Sequence, residues 1–419
     1  MHILDLPDDF FVLLFGYLHT RDVLHLEQCC ARLQQLTQFY WQSIRELHLI
    51  NFMRTRGCFD VGNCYRFDTA ATGLLQRCGP FVRSLDLSDF GPLEYGLRIG
   101  LETAIVSNCT ALQSVTISKR LLERDWLISF ARAIGSKLKC AKLSSLHIRG
   151  FGSLDDATLT QVLTHWPHLE TLDVRNNPRL SLYGASQCMP MGLKELDCRQ
   201  NRAINEHGFA SVFARCVQLQ CLKMTYNPMS ALPFNLLSQL HTLQIDVSST
   251  TTVLSAPFLN SLGHLNAPLH DLRISTNLLC DRLLVLLTEH HCLKLIKSLS
   301  LNSQAHPSLS MTIDEAVLML ACMPKLRHLH CTGNSAFASS ILVHLHRFAH
   351  LRTLDVSYAL KHDDVTPIMW ESIESQSLER LIWKAVVLPY SRLSVTTVRE
   401  GIETKLKEKC PSLRQLVVR

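Results

Sequence analysis

The 419-residue sequence predicts an α/β solenoid, a stack of short strand-and-helix repeats. Fourteen segments share a version of the spacing L-x-x-L-x-L. Their central residues are Leu47, Leu85, Val115, Leu146, Leu172, Leu196, Leu222, Leu243, Leu272, Leu299, Leu329, Leu354, Leu381 and Leu416. Most neighbouring anchors lie 24 to 31 residues apart. Inside each segment apolar residues alternate, which is the period of a strand with one dry face. After it they recur at three- and four-residue steps, the period of a helix.

The unit opening at Leu193 is the best formed. Leu196 and Cys198 alternate with Glu195, Asp197 and Arg199, and Phe209, Val212 and Cys216 then follow at helical spacing. So short a strand and helix cannot bury their apolar faces alone, but stacked copies share one continuous core. A motif with this period is the signature of a leucine-rich-repeat solenoid, here a horseshoe of about 14 repeats. Strands would line its concave side as a parallel sheet, with helices outside. The step of 21 residues after Leu222 carries Pro228 and Pro233, so its outer segment is expected to be extended or one short helical turn.

Asn177, Asn201, Asn227, Asn277 and Asn334 each fall three residues after the last strand residue of their motif. An amide there can satisfy backbone groups where the chain turns away from the strand. An exposed binding Asn is the alternative. Of the 16 cysteines, Cys78, Cys109, Cys216, Cys322 and Cys410 end a helix just before the next strand, as buried apolar groups rather than half-cystines.

With 42 basic and 36 acidic residues the chain carries +6, which is mild and does not call for nucleic acid. The start, MHILDLPDD, lacks a basic n-region, and the longest apolar run, FFVLLFGYL, falls short of a membrane span. Reduced thiols and no signal lead to the expectation of a cytoplasmic or nuclear protein with no membrane contact.

Residues 1–45 lack the repeat spacing. Pro7 suits a first helical turn, and Asp8 and Asp9 favour its positive end. Phe11, Leu14 and Phe15 share one face, with Leu18 a turn on. Thr20 would cap a second helix to about Gln28, and a third would carry Ala31, Leu33 and Leu36. Phe10, Phe11, Phe15, Tyr17 and Leu18 offer more apolar surface than so small a unit hides, which a partner would cover. Alternatively they cap the first repeat, because solenoid ends need covering.

The series Leu6-Pro7, Leu14-Phe15, Tyr17-Leu18, Asp22-Val23, Leu26, Cys29-Cys30 and Tyr40-Trp41 resembles an F-box. Cys29 stands where Val is usual and Leu33 where Trp is usual. Followed at once by the repeats, it resembles the F-box/leucine-rich-repeat family over essentially the whole chain, with an F-box at 1–45 and a solenoid at 46–419. The resemblance implies binding to an SKP-family adaptor through Leu6, Pro7, Phe11, Leu14, Phe15, Leu18 and Leu26. It further implies, through that adaptor, a cullin–RING ubiquitin ligase for which the solenoid holds a protein substrate. A scaffold that keeps the F-box outside any ligase is the alternative.

Residues 51–68 are expected to form a loop insertion before a first repeat helix at Ala70–Cys78, either a plain surface loop or a lip on the substrate site. Walker, Rossmann, zincin and nucleophile-elbow motifs are absent from the sequence. No catalytic residue, cofactor or metal is therefore expected, although an enzyme site hidden on the concave face is a third reading. Cys58 and Cys64, and the trio His328, His330 and Asp355, are the thin metal hints. On the concave face Arg149, Arg175 and Arg199 should stack as a cationic stripe beside Asp173 and Asp197, followed by Lys223. Such a stripe suits carboxylate or phosphate capture and is the expected substrate contact.

Overall fold

A computed structural model describes residues 6–55, 64–88, 97–118, 124–137, 143–229, 231–247, 254–275, 281–302, 311–332, 335–357, 373–383, 406 and 408–418. It divides into two compact units, Met1–Ala203 and Ile204–Arg419.

The first unit opens with three helices, α1 (Asp8–Tyr17), α2 (Thr20–Cys29) and α3 (Ala31–Ser43). Six strands follow: β1 (Glu46–His48), β2 (Ser84–Asp86), β3 (Ser114–Ser118), β4 (Ser145–Arg149), β5 (Thr171–Asp173) and β6 (Glu195–Asp197). They are interleaved with α4 (Leu49–Thr55), α5 (Cys64–Cys78), α6 (Leu97–Asn108), α7 (Arg124–Lys137) and α8 (Asp156–Leu163). Neighbouring strands are parallel and pair anchor to anchor: Leu47 with Leu85, Leu85 with Val115, Val115 with Leu146, Leu146 with Leu172, and Leu172 with Leu196.

The second unit repeats the plan. Its strands are β7 (Cys221–Tyr226), β8 (Thr242–Val247), β9 (Asp271–Ser275), β10 (Ser298–Asn302), β11 (His328–Thr332), β12 (Thr353–Asp355), β13 (Arg380–Trp383) and β14 (Gln415–Val418). Its helices are α9 (Glu206–Arg215), α10 (Ala256–Leu262), α11 (Asp281–Glu289), α12 (Ile313–Ala321) and α13 (Ser335–Val343). Leu222 pairs with Leu243, Leu243 with Leu272, Leu272 with Leu299, Leu299 with Leu329, Leu329 with Leu354, Leu354 with Leu381, and Leu381 with Leu416. The proline-bearing step after Leu222 has only a short 3-10 turn, Phe234–Leu236.

Thirteen of the fourteen anchors are buried. Leu416, on the last strand in the order, is partly exposed. Full burial of such a side chain is worth ~1.5–3 kcal/mol, so the anchors form the shared core that no single repeat could build. Helix starts are capped where the sequence supplies an acceptor: Asp155 accepts from the Thr158 N–H, Asn205 from Gly208, and Thr312 with Glu315 forms a capping box.

Two of the five asparagine positions, Asn177 and Asn201, are internal, as expected. Asn177 Oδ1 accepts from the Phe151 N–H at 2.7 Å, and its Nδ2 donates to the Ile148 and Val174 carbonyls at 2.8 and 2.6 Å. Asn201 Oδ1 accepts from the Asn177 N–H at 2.5 Å. Asn227 Nδ2 donates to the Ile204 carbonyl at 2.8 Å. Asn277 and Asn334 lie outside the described residues.

Cys78, Cys109, Cys216 and Cys410 are buried, and burial pushes the first three thiols up to about 12. Cys322 departs from the expectation and is exposed. Cys109, Cys216 and Cys410 precede the next motif's leading leucine by three residues, whereas Cys322 precedes Leu326 by four; Cys78 also lies four before Val82, but there Gly79 occupies the intervening position and the thiol stays buried. After Cys322, Met323 takes the inward position, and its carbonyl accepts from the Leu326 N–H.

The expected loop over 51–68 is also corrected. Residues 51–55 continue α4 and Cys64 already begins α5. Leu49, Ile50 and Met53 are buried at helical spacing, which is why the segment coils at once. Residues 56–63 lie outside the described residues, Cys58 among them. Thr20 is the first residue of α2 rather than its cap, with His19 in the cap position.

Candidate functional site

Two surfaces follow from the sequence reading, one on α1 and one along the strands. α1 is apolar around most of its circumference, and the fold decides which stripe is used. Phe11 and Phe15 turn inward. Phe15 meets Tyr40 edge-on at 6.0 Å, Tyr40 meets Trp41 at 4.9 Å, and Val23 and Leu36 complete this small core. Among the residues expected to face the adaptor, then, Phe11 and Phe15 are structural in this chain. Leu6, Leu14, Leu18 and Leu26 are partly exposed and Pro7 is exposed.

The outward stripe of α1 is Phe10, Leu13 and Tyr17, at 45%, 67% and 87% exposure. Spacings of three and four place them on one helical face. Leu13 was not singled out by the sequence reading. The three helices also cover the first repeats. α3 packs on α5, and Arg77 of α5 donates to Glu27 of α2 at 3.0 Å.

On the strands, Arg149, Arg175 and Arg199 are brought together as expected. They line a cleft of about 280 Å³ with Gly150, Asn176 and Gln200. Each of these last three follows its arginine in the left-handed region, with φ of 66°, 60° and 61°. Only Gly150 adopts that conformation freely, so Asn176 and Gln200 are held there by their surroundings.

The acids alternate with the arginines more closely than spacing alone predicts. Asp173 Oδ2 accepts from Arg149 Nε at 2.7 Å, with Arg175 Nε at 3.4 Å and His147 Nδ1 at 3.5 Å from the same oxygen. Asp197 takes Arg199 in a two-pronged pair at 2.9 and 2.7 Å. Both acids are buried. The stripe is in large part an internal charge network rather than a row of free cations. Lys223, on β7, is partly exposed and belongs to the second unit.

Burial alone would raise the Asp173 pKa, but contacts from His147 and Arg149 and the Arg175 N–H bring it down from 3.8 to about 2. Unfolding would return it to the ordinary value, so the unfolded chain binds the extra proton in that window. Asp173 therefore contributes about 2 kcal/mol above pH 3.8, lost as pH falls toward about 2. Urea midpoints across this interval should fall steeply for the native chain. They should fall less for Asp173→Asn, and equal slopes for the two would reject the assignment.

The histidine trio does not gather as a three-ligand set among the described residues. His330 sits between Asp355, 3.5 Å from Nε2, and Ser300, 3.2 Å from Nδ1. The sequence reading missed a different trio, His290, His291 and Cys292, whose ligand atoms lie within 4.8 Å of one another. Three consecutive residues brought together by a turn leave no periodic signal to find.

No protein-family profile matches the chain, and no curated protein matches it. Among solved structures, the yeast Rad7–Elc1 complex aligns at a TM-score of 0.46 and 14% identity, covering 94% of this chain and 91% of that one. The TLR13–ssRNA13 complex aligns at 0.37 and 14%, covering 81% of this chain and 58% of that one. No helix among the described residues is long and apolar enough to cross a membrane.

Proposed function

We propose that the chain is the substrate-recognition subunit of an SKP–cullin–F-box ubiquitin ligase. The observation that carries this reading is the exposed stripe Phe10, Leu13 and Tyr17 on a three-helix segment that resembles an F-box and adjoins the repeats. Monomeric proteins seldom leave such aromatic and aliphatic groups side by side in water without a partner to cover them. In this reading Leu6, Pro7, Leu14 and Leu18 border the adaptor contact, while Phe11 and Phe15 hold α1 in place. The repeats hold a protein substrate near the ubiquitin thioester. The chain supplies proximity, which makes lysine attack effectively intramolecular, and contributes no acid, base or nucleophile.

Leu13→Glu with Tyr17→Glu is expected to weaken capture of a purified SKP-family adaptor at least ~tenfold, because a charge then faces the apolar contact. Both residues are exposed, so circular dichroism should be unchanged. Undiminished capture by this variant, or none by the native chain, would reject the adaptor reading. Cullin recovered with the native chain separates a ligase subunit from a scaffold.

A further inference from the structure

The second unit carries a basic ladder that the adaptor and stripe readings leave unused. The residue two before each anchor is His241, His270, Lys297, Arg327 and Arg352 in five consecutive repeats. Backbone hydrogen bonds tie them in a row: His270 N–H to the His241 carbonyl, Lys297 to His270, Arg327 to Lys297, and Arg352 to Arg327, at 2.8, 2.9, 2.8 and 2.7 Å. Adjacent strands are ~4.8 Å apart, so like charges follow one another at close quarters. Lys297, Lys325, Arg327, His350 and Arg352 line a cleft of about 530 Å³.

These cations lack the internal acids that neutralise the arginines of the first unit. Arg352 has Glu379 at 3.6 Å. Among the described residues Lys297, Lys325 and Arg327 have no ion-pair partner. Two histidines register the local field. The pKa of His270 is held below its ordinary value by burial and then by Lys297, His241 and Lys325. That of His328 is lowered by burial and then by Arg327 and Arg352, with Asp271 and Glu379 pulling the other way. A positive surface of this kind is relieved by an opposite charge from outside.

We propose that this cleft binds an acidic segment of a protein partner, its carboxylates spaced along Lys297, Arg327 and Arg352. The row from β10 to β12 spans two strand spacings, ~10 Å, which is longer than a single free anion covers. No Phe, Tyr or Trp lines the cleft, so it offers no ring on which a nucleic-acid base would stack. Arg and Lys donors suit carboxylates on an extended chain. This inference does not depend on the adaptor reading, since it needs nothing from the helical segment.

The test is fluorescence anisotropy of a dye-labelled octaglutamate peptide with the full chain. Binding should weaken as salt rises. Lys297→Glu with Arg327→Glu should weaken it ~tenfold or more, and the neutral pair Lys297→Gln with Arg327→Gln by less. The neutral pair keeps the test intact if the reversed pair does not fold. Absent binding, or binding unaffected by either pair, would overturn the proposal. So would an equal loss from Arg175→Glu with Arg199→Glu, which would place the peptide on the other unit. Oligodeoxythymidine of equal charge binding more tightly at the same residues would make this a nucleic-acid surface. Complete displacement by inorganic phosphate at matched concentration would reduce it to a simple anion hole.

Discussion

Leu196→Asp is expected to abolish cooperative unfolding of the first unit, so that the thermal transition by circular dichroism at neutral pH loses that unit's share of its amplitude. Leu196 is 1% exposed and pairs with Leu172 in the register that sets this part of the sheet. Losing its burial forfeits ~1.5–3 kcal/mol. The carboxylate then faces a site with no water, which costs several kcal/mol more or forces the group out. Whole-domain stability is only ~5–15 kcal/mol, and each repeat rests on its neighbours. The defect should therefore spread beyond one strand. Leu196→Met, nearly equal in volume, should cost under ~1.5 kcal/mol. A native-like melt for the Asp variant would show that the anchor is not the core residue assigned here.

Asn177→Leu is expected to lower stability by ~3–5 kcal/mol, read as a drop in urea midpoint with little change in slope. Its amide closes one N–H and two carbonyls, those of Phe151, Ile148 and Val174, with Arg175 O at a longer 3.3 Å. A leucine fills similar space and strands the Phe151 N–H and the Ile148 carbonyl, each at ~1–3 kcal/mol, while the Val174 carbonyl keeps Asn201 Nδ2 at 2.9 Å. Asn177→Asp separates the two halves of the role. It keeps the acceptor for Phe151 but cannot donate to the carbonyls, so it should be destabilised at neutral pH and partly rescued once protonated. A loss under ~1 kcal/mol in both variants would mean that water takes over these contacts.

The strand register was legible because the leucine period survives every change of repeat length. The anchors could be numbered before any coordinate, and their pairing follows. What failed has physical causes. Cys322 was placed inward by counting from the helix, whereas the following strand fixes the count, and Leu326 points to Met323. The sequence places residues 51–55 in a loop by the length of the step, although Leu49, Ile50 and Met53 carry a helical stripe. In α1 the run FFVLLF is apolar all round, so periodicity could not say which stripe the chain keeps for itself. Only the position of Tyr40 on α3 selects Phe15 for the inside and leaves Leu13 outside. The arginine stripe was visible as spacing, but its pairing with Asp173 and Asp197 depends on side-chain directions that sequence does not carry. The basic ladder was hidden for a simpler reason. Its members sit two residues before the anchors, each just after the leading apolar residue of its motif, whereas the sequence reading of the charged face followed only the residues after the anchors.

The asparagine contacts have a direction. Asn177 closes the turn that begins at Phe151, and Asn201 in turn closes Asn177, so these two repeats are each completed by the one that follows. During synthesis the earlier repeat leaves the ribosome first. Its turn must hold water on a backbone N–H until the next asparagine arrives to replace it. Through these two repeats, a growing chain therefore trails one turn whose closing asparagine has yet to arrive.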